Sequence, residues 1–155
     1  ARTATTMAVG REPGNVFGTG KNLPLIAMAH GIPYVATASV ANLRDLEYKV
    51  TRAMDVRGAR YVHIHVPCPL GWGSLPEDTI RIARMAVESG LFPLFEAVDG
   101  EITGRTKIRR QVPVTEYLKL QKRFAHLFGK EPDAERLARI QATADRNIAK
   151  FGLLD

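Results

Sequence analysis

The sequence predicts an α/β fold: part of a doubly wound, mostly parallel sheet with a C-terminal helical tail. Short apolar runs rich in β-branched residues alternate with segments of helical periodicity through the first two thirds of the chain. This alternation is typical of crossover units, in which helices cover both faces of a parallel sheet. After about residue 105 only helical periodicity remains. We therefore expect an α/β domain over residues 1–104 and a basic linker with a helical tail over residues 105–155.

The first elements are a helix, a strand and a second helix. Residues 22–32 are expected to be helical, because Pro24 suits a first helical turn and Gly31 suits a helix end. Residues 33–40, "PYVATASV", form an apolar run bounded by turn signals, which predicts a buried strand. Apolar residues then recur at helical spacing over residues 43–58, where a glycine ends the pattern.

The next elements complete the α/β pattern. A second strand is expected in "ARYVHIHVPC". Ser74 and Glu77 have the spacing of a capping box, which predicts a helix that ends near Ser89. The segment "LFPLFEAVDGEIT" predicts a short strand or hairpin with its turn at Asp99 and Gly100.

The tail combines helical periodicity with positive charge. Two amphipathic helices are expected over residues 114–127 and 137–151. The chain has a net charge of +6. Much of this charge lies in a basic segment that consists of Arg105, Lys107, Arg109, Arg110, Lys119, Lys122 and Arg123. This segment is expected to be a solvated arm or subunit contact, or else to dock an acidic protein. Nucleic acid is not expected as a partner, because no recognisable nucleic-acid-binding module accompanies the charge.

The composition is that of an ordinary globular protein. Hydrophobic residues make up 45% and charged residues 25% of the chain, as in an average soluble protein. No apolar run approaches the roughly 18 residues of a membrane span, so no membrane association is expected. The single cysteine cannot form an internal disulfide, which favours a cytoplasmic location. Because the chain starts with neither a signal peptide nor Met, we expect it to be a piece of a longer protein.

One motif resembles a phosphate-binding loop without its defining residues. "GNVFGTGKN" ends in Gly20 and Lys21, as such a loop does. However, Asn15 and Asn22 stand where the loop requires glycine and a hydroxyl residue. We expect instead a glycine-rich loop that enters a helix and can lie against a neighbouring chain or a ligand.

Two histidines occupy the predicted second strand. His63 and His65 are two residues apart, so both side chains point to the same face and could chelate a metal. No acidic residue or cysteine lies close to them in sequence. We therefore favour two hydrogen-bonded core or interface histidines.

Cys68 follows the second predicted strand, between Pro67 and Pro69. In doubly wound sheets the ligand crevice lies at the carboxyl ends of the strands, so this position suits a functional residue. The nearby amides of Leu70 and Gly71 are free to donate hydrogen bonds to a thiolate. From the residues alone, three interpretations stay open: a buried structural cysteine, a metal or cluster ligand, and a reactive thiol.

Four segments closely resemble the C-terminal part of the β subunit of the 2-oxoacid:ferredoxin oxidoreductases. The pyruvate:ferredoxin oxidoreductase type is the nearest. The segments are "MAHGIPYVATASV", "YVHIHVPCPLGW", "PEDTIRIARMAVESGLFPLFE" and "PVTEYLKLQKRFAHL". They occur in the same order and with similar gaps, and the resemblance extends over residues 23–127.

The resemblance implies a thiamine diphosphate-binding α/β domain in an enzyme of several subunits. Such enzymes use thiamine diphosphate and Mg2+ to decarboxylate a 2-oxo acid, usually pyruvate, and leave the acyl group on coenzyme A. Their electrons pass through 4Fe-4S clusters to ferredoxin. Cys68 matches the fourth ligand of the proximal 4Fe-4S cluster, in the family's "PCP-x-GW" element. Pro67, Pro69 and Gly71 would shape its pocket, and Trp72 would pack there or shield the cluster from water.

The chain also departs from the family pattern. It has one of the four cysteine ligands and lacks the G-D-G motif that binds the diphosphate and magnesium. We therefore expect the remaining N-terminal part of the β subunit to supply these groups, beside alpha, gamma and delta-type subunits. No residue is assigned to catalysis or to thiamine, although residues 1–21 are expected to lie near the cofactor or a partner subunit.

Two alternatives stay open. The first is an oxidoreductase of the same family that acts on oxalate or another 2-oxo acid. The second is a non-catalytic α/β assembly subunit whose cysteine is an ordinary buried thiol.

Overall fold

The computed structural model describes residues 8–9, 12–13 and 21–155 of the chain. The strands β1 (Ala8–Val9) and β2 (Glu12–Pro13) form a small antiparallel pair. The main sheet consists of β3 (Tyr34–Ser39), β4 (Arg60–His65), β5 (Phe95–Val98) and β6 (Glu101–Arg105). Its spatial order is β4-β3-β5-β6. Most of the predicted glycine-rich loop and of residues 1–21 lies outside the described residues.

The helices alternate with the strands, which confirms the predicted α/β class. They are α1 (Leu23–Ala29), α2 (Leu43–Asp55), α3 (Pro69–Trp72), α4 (Thr79–Glu88), α5 (Val114–Lys119) and α6 (Ala134–Phe151). Two 3-10 helices are formed by Pro76–Asp78 and Lys122–Phe128. The described helices are all too short or too polar to span a lipid bilayer.

The main sheet is mixed, whereas the sequence predicted mostly parallel pairing. β3 and β4 are parallel, but β5 is antiparallel to β3 and β6 is antiparallel to β5. The last pair is the predicted hairpin: Asp99 and Gly100 have φ angles of 47° and 84°. Positive φ at both positions is what a two-residue hairpin turn requires. After α4 the chain enters β5 in the direction opposite to β3, and the two-residue turn then reverses it into β6, so both of these pairings are antiparallel.

The strand β3 is the buried centre of the sheet, and β4 is an edge strand of it. All six residues of β3 are buried. On one face Val35 packs with residues of α1 and α6, and on the other Tyr34 and Ala36 pack with Ala53 of α2. Both faces of β3 are therefore covered, as the sequence predicted. In contrast, no residue of β4 is fully buried.

The tail packs on the α/β body, as predicted. Phe151 of α6 stacks on Phe95 of β5, with ring centroids 4.8 Å apart. A separate core joins α4, α5, the second 3-10 helix and α6. Its buried residues are Ile82, Met85, Ala86, Val112, Val114, Tyr117, Leu118, Phe124, Leu127 and Ala144. The division of the chain into residues 1–104 and 105–155 stays a prediction.

The single helix predicted over residues 114–127 is wrong in its length. Helix α5 ends at Lys119, and a 3-10 helix begins at Lys122. The buried Gln121 explains the break, because its Nε2 donates a 2.8 Å hydrogen bond to the Tyr117 carbonyl. A continuing α-helix would have paired that carbonyl with a backbone amide.

The predicted capping box at Ser74 and Glu77 is also wrong. Helix α4 begins only at Thr79, after a 3-10 turn, and its N-cap residue Asp78 makes no side-chain cap hydrogen bond. Ser74 Oγ is buried and has no hydrogen-bond partner in the described part of the chain. The proline at 76 favours the tight turn that separates Ser74 from the helix.

Candidate functional site

The structure places Cys68 at the N-cap of α3, directly after β4. Its side chain is exposed, so the interpretation as a buried structural cysteine is wrong. The Gly71 amide donates a hydrogen bond to Cys68 Sγ over 3.3 Å. The sequence predicted amide donors of this kind, and the prediction is confirmed for Gly71. The thiol is therefore exposed and accepts one backbone hydrogen bond.

Small and rigid residues shape the surroundings of the thiol. Pro67 is buried, and Pro69 occupies the first turn of α3, where its fixed φ suits a helix start. A Cβ at position 71 would lie only 3.3 Å from Cys68 Sγ. Glycine at 71 therefore allows the backbone to approach the sulfur closely enough for its amide to donate.

Three exposed apolar residues lie within seven positions of Cys68 in sequence, and we call them the apolar rim. Val66, Leu70 and Leu75 are 56%, 97% and 58% exposed. Single exposed apolar residues are common, but a contiguous group marks a surface that another protein segment covers. These three residues flank one thiol within ten positions of sequence. The rim therefore suits contact with further protein around Cys68.

A column of four neighbouring side chains, whose aromatic rings are tilted against one another, connects α3 to the rest of the protein. It consists of Phe92, His65, Trp72 and Arg123. The ring centroids of Phe92 and His65 are 4.9 Å apart, and those of His65 and Trp72 are 5.8 Å apart. Arg123 Cζ lies 3.8 Å from the centroid of the Trp72 ring. Trp72 is half-buried and also packs on the core of the helical tail, so its predicted packing role is confirmed.

Both strand histidines have a buried Nδ1 without a hydrogen-bond partner in the described residues. The prediction that His63 and His65 are hydrogen-bonded is therefore wrong for these atoms. Burial, followed by the charges of Arg123 and His63, lowers the pKa of His65 to about 4. Burial also lowers the pKa of His63. Both rings are consequently neutral at neutral pH. Within residues 21–155, no group of three or more His, Cys, Asp and Glu could hold a metal ion.

The basic segment does not form one uniform surface. Arg105 donates a hydrogen bond to the Phe151 carbonyl. Lys107 donates to the Leu154 carbonyl and forms an ion pair with the Asp155 carboxylate. Both cations therefore bind the C-terminal end of the tail. Arg109 and Arg110 are exposed. Lys119 and Lys122 are exposed as well, and none of these four forms an ion pair within the described residues.

Arg123 differs from the other cations of the basic segment, because it is half-buried. Its guanidinium lies over Trp72 and, at 4.7 Å, over the ring of Phe124. Burial lowers its pKa. Sequence reasoning missed this role, because the partner Trp72 is distant in sequence and no local pattern connects the two.

Comparison with known proteins identifies the relatives of the chain. No family model matches it. It is 46% identical over 153 residues to "Pyruvate synthase subunit PorB" of Methanosarcina barkeri, a match that covers 99% of this chain and 51% of that subunit. It is 43% identical over 133 residues to the subunit of the same name from Methanocaldococcus jannaschii, covering 86% of this chain and 43% of that subunit.

A related subunit with another name matches a shorter stretch. "Ketoisovalerate oxidoreductase subunit VorB" of Pyrococcus abyssi is 41% identical over 104 residues, covering 66% of this chain and 33% of that subunit. The chain spans about half the length of the PorB relatives that it matches. The resemblance found in the sequence is thus confirmed. The chain is similar, over nearly its whole length, to a C-terminal part of the pyruvate synthase PorB subunits.

Proposed function

We propose that this chain is the part of a pyruvate:ferredoxin oxidoreductase β subunit that supplies Cys68 as one ligand of the proximal 4Fe-4S cluster. The observation that supports this function is the exposed Cys68 thiol, held by the Gly71 amide in a chain similar to pyruvate synthase subunits. The whole enzyme would oxidatively decarboxylate a 2-oxo acid, transfer the acyl group to coenzyme A and reduce ferredoxin. It would act in the cytoplasm, with alpha, gamma and delta-type subunits.

The residues around Cys68 fit one cluster ligand but not a complete cluster site. Protein-bound 4Fe-4S clusters are held by four thiolates, and hydrogen bonds to the sulfurs tune their potential. Cys68 supplies one thiol and Gly71 supplies one such hydrogen bond. Since the chain contains a single cysteine, the other three ligands would come from the rest of the subunit. The apolar rim is suited to be covered by the segments that carry them.

A bound cluster would carry single electrons between the reacting 2-oxo acid and ferredoxin. The residues of this chain would hold and tune it. The Gly71 amide donates to Cys68 Sγ, and a hydrogen bond of this kind to a cluster sulfur would help to set the potential of a bound cluster. Trp72, which packs on the tail core beside His65, would shield the cluster from water on the side of α3 that faces the protein. Because burial keeps His65 neutral, its ring adds no charge to the site at neutral pH.

Thiamine diphosphate and Mg2+ do not fit the described residues. The sequence lacks the family's diphosphate motif, and residues 21–155 contain no group of three metal-ligating side chains. We therefore assign no residue of this chain to thiamine and derive no step from it. We propose instead that the remaining part of the subunit forms the thiamine diphosphate site.

A branched 2-oxo acid is the second candidate substrate, because the chain is also 41% identical to a ketoisovalerate oxidoreductase subunit. That match covers 66% of the chain, whereas the match to a pyruvate synthase subunit covers 99%. Pyruvate is therefore the first expectation. Ferredoxin reduction by the purified complex, with pyruvate or 2-oxoisovalerate and with or without coenzyme A, distinguishes the two by their kcat/KM values.

The decisive experiment is anaerobic purification of the complete complex with wild-type chain, with Cys68→Ser and with Ser74→Ala. Iron, acid-labile sulfide and thiamine are assayed together. Ser74→Ala is the matched control, since it removes a nearby buried Oγ that has no hydrogen-bond partner in the described structure. We expect Cys68→Ser to lose about four iron atoms with thiamine retained, and Ser74→Ala to match the wild type. A wild-type complex without iron, or a Cys68→Ser complex with full iron, would refute the proposed role and favour an assembly subunit.

A further inference from the structure

We propose that the outer edge of β4 and the adjoining flank of α2 form one docking surface, and that a β-strand from the N-terminal part of the β subunit pairs there. The helix contributes Leu43, Val50 and Met54 to this surface. The inference rests on the proposed function only in placing this chain within a longer subunit. It is independent of the role proposed for Cys68.

The strand β4 has the sequence of an interior strand, although it lies at one edge of the described sheet. Its hydrogen-bonded neighbour among the described strands is β3. Edge strands usually carry charged residues or proline, which hinder further pairing. At the opposite edge β6 follows this rule, with exposed Glu101 and Arg105. After Arg60, in contrast, β4 reads "YVHIH" and contains no Asp, Glu, Lys or Arg. The sequence of β4 therefore suits pairing on both sides.

The outward backbone groups of β4 belong to alternate residues. The His65 carbonyl accepts a hydrogen bond from the Val40 amide at 3.3 Å, so the backbone groups of His65 are directed towards β3. Successive residues of a strand direct these groups to alternate sides. The amides and carbonyls of Val62 and Ile64 are consequently directed away from β3. An incoming strand would form its hydrogen bonds with these two residues.

Helix α2 lies over the sheet in a fixed orientation. Ala53 packs against side chains of β3 and β4. One flank of the helix faces β5 and β6, because Arg52 Nε lies 4.0 Å from the Glu96 carboxylate of β5. Asp45 of the same flank accepts a 3.2 Å hydrogen bond from Thr106, which directly follows β6. These contacts determine the direction of the other flank.

That other flank carries three exposed apolar side chains. Leu43, Val50 and Met54 are 68%, 39% and 76% exposed. Each lies two positions from Asp45 or Arg52, which corresponds to a rotation of about 200° around a helix. The three side chains therefore face away from β5 and β6. In a sheet of order β4-β3-β5-β6, that direction is the outer side of β4.

The edge of β4 continues the apolar surface of this flank. Ile64 and Val66 are 40% and 56% exposed. Ile64 lies two positions after Val62, on the sheet face that α2 covers. A further strand would lie about 5 Å beyond β4 and would place every second side chain under the flank of α2. One added strand with apolar residues at alternate positions would therefore cover both the backbone edge and the helix flank.

The remaining part of the subunit is the occupant that fits this surface. The match to the pyruvate synthase subunit of Methanosarcina barkeri covers 99% of this chain but 51% of that subunit. Relatives therefore contain about as much sequence again as this chain does. An interior strand with an apolar helix flank beside it requires coverage over its whole length, which a segment of the same subunit would provide.

The test uses the complete complex, purified anaerobically. The photo-cross-linking residue p-benzoylphenylalanine replaces Met54 or Leu43 and, on irradiation, inserts into a nearby C–H bond. Tyr48 is the matched control position, because it is 50% exposed on the opposite flank of the same helix and contacts Arg52. Mass spectrometry identifies the linked peptides. Hydrogen–deuterium exchange of the wild-type complex reports on the amides of β4 without any substitution.

We expect cross-links from positions 54 and 43 to the N-terminal part of the β subunit, and none to that part from position 48. The amides of Val62 and Ile64 should exchange within about tenfold of the rates of those of His63 and His65, which are directed towards β3. If a substituted chain fails to assemble, the exchange result decides.

Rapid exchange at Val62 and Ile64 in the complete complex would overturn the inference. Cross-links to a second copy of this chain, to its residues 1–20 or to another subunit would overturn it as well, as would the absence of any cross-link from an assembled complex. None of these outcomes affects the iron assay on Cys68→Ser, so the role proposed for Cys68 stands or fails separately.

Discussion

The hydroxyl of Tyr34 donates a 2.8 Å hydrogen bond to Glu96 Oε2, and both residues are buried in neighbouring strands. Burial and this carboxylate raise the pKa of Tyr34 far above its ordinary value. Arg52 Nε is 4.0 Å from the same carboxylate oxygen. On the facing strand, Gly104 leaves room for the carboxylate, since a Cβ there would lie 2.9 Å from Glu96 Oε1. A buried side-chain hydrogen bond to a carboxylate thus joins β3 and β5.

Replacing Tyr34 by Phe should destabilise the protein by about 1–3 kcal/mol, because it leaves a buried carboxylate without its hydroxyl donor. Tyr48→Phe is the matched control, since Tyr48 is half exposed and its hydroxyl only accepts from Arg52. Chemical denaturation of the whole protein measures both variants. Equal unfolding free energies for the two would show that the buried hydrogen bond contributes nothing specific.

His65 should make the stability of the protein depend on pH below neutrality. Its pKa is about 4 when folded, against an ordinary value near 6.5, so the unfolded chain binds the proton first as the pH falls. The free energy of unfolding is therefore not reduced by this site above pH 6.5, and it decreases as the pH falls towards 4. The total loss well below pH 4 is about 3 kcal/mol. Burial is the main cause of the lowered pKa of His65, and the charges of Arg123 and His63 add to it.

The variant His65→Phe should remove that pH dependence while keeping an aromatic ring between Phe92 and Trp72. The measurement is the unfolding midpoint of the whole protein at pH 7 and at pH 4.5, with the exposed His30→Gln as control. We expect His65→Phe to lose less stability on acidification than the wild type and His30→Gln to lose the same amount. A wild-type acid response in His65→Phe would contradict the assignment.

Reversing Arg109 and Arg110 to Glu should slow the reduction of an acidic ferredoxin by roughly tenfold at low salt. Both arginines are exposed and unpaired within the described residues, so their charge is available to a partner. The effect should shrink at high ionic strength, where charges separated by more than a Debye length are screened. Stopped-flow reduction rates at two salt concentrations provide the measurement.

The control for that experiment reverses Arg57 and Arg60, which are exposed where β4 begins, at the opposite end of the strand from Cys68. These changes should leave the rate nearly unchanged. If the rate of the Arg109 and Arg110 variant is also unchanged at low salt, the basic segment is a structural arm and does not dock an acidic partner.

The sequence predicted those features that local chemistry determines. Pro24 and Gly31 mark the limits of α1, with Gly31 at φ 69°, and Asp99 and Gly100 form the expected hairpin turn. The position of Cys68 after β4 follows from the length of one apolar run. In each case the residues that determine the feature are close together in sequence, so the local sequence pattern is enough to predict it.

Features that depend on distant contacts could not be predicted in this way. The break after α5 depends on the buried side-chain amide of Gln121. The sequence pattern does not indicate this burial, because a polar residue in a helical pattern is usually exposed. Arg123 lies among exposed cations in the sequence, which predicts a solvated side chain. Its contact with the Trp72 ring forms only in the folded protein, because the two residues are far apart in sequence. The candidate site was therefore predictable as one cysteine, whereas the column that supports it was not.

The exposed edge of the sheet affects how this chain can be handled in the laboratory. β4 has a hydrogen-bonded neighbour on one side only in the described sheet, and Ile64, with Val66 just beyond the strand, is exposed along it. Unpaired backbone groups beside β-branched side chains are a template for strand addition by other copies. Production of this chain alone should therefore yield aggregates, and co-expression with the remainder of its subunit should keep it dispersed.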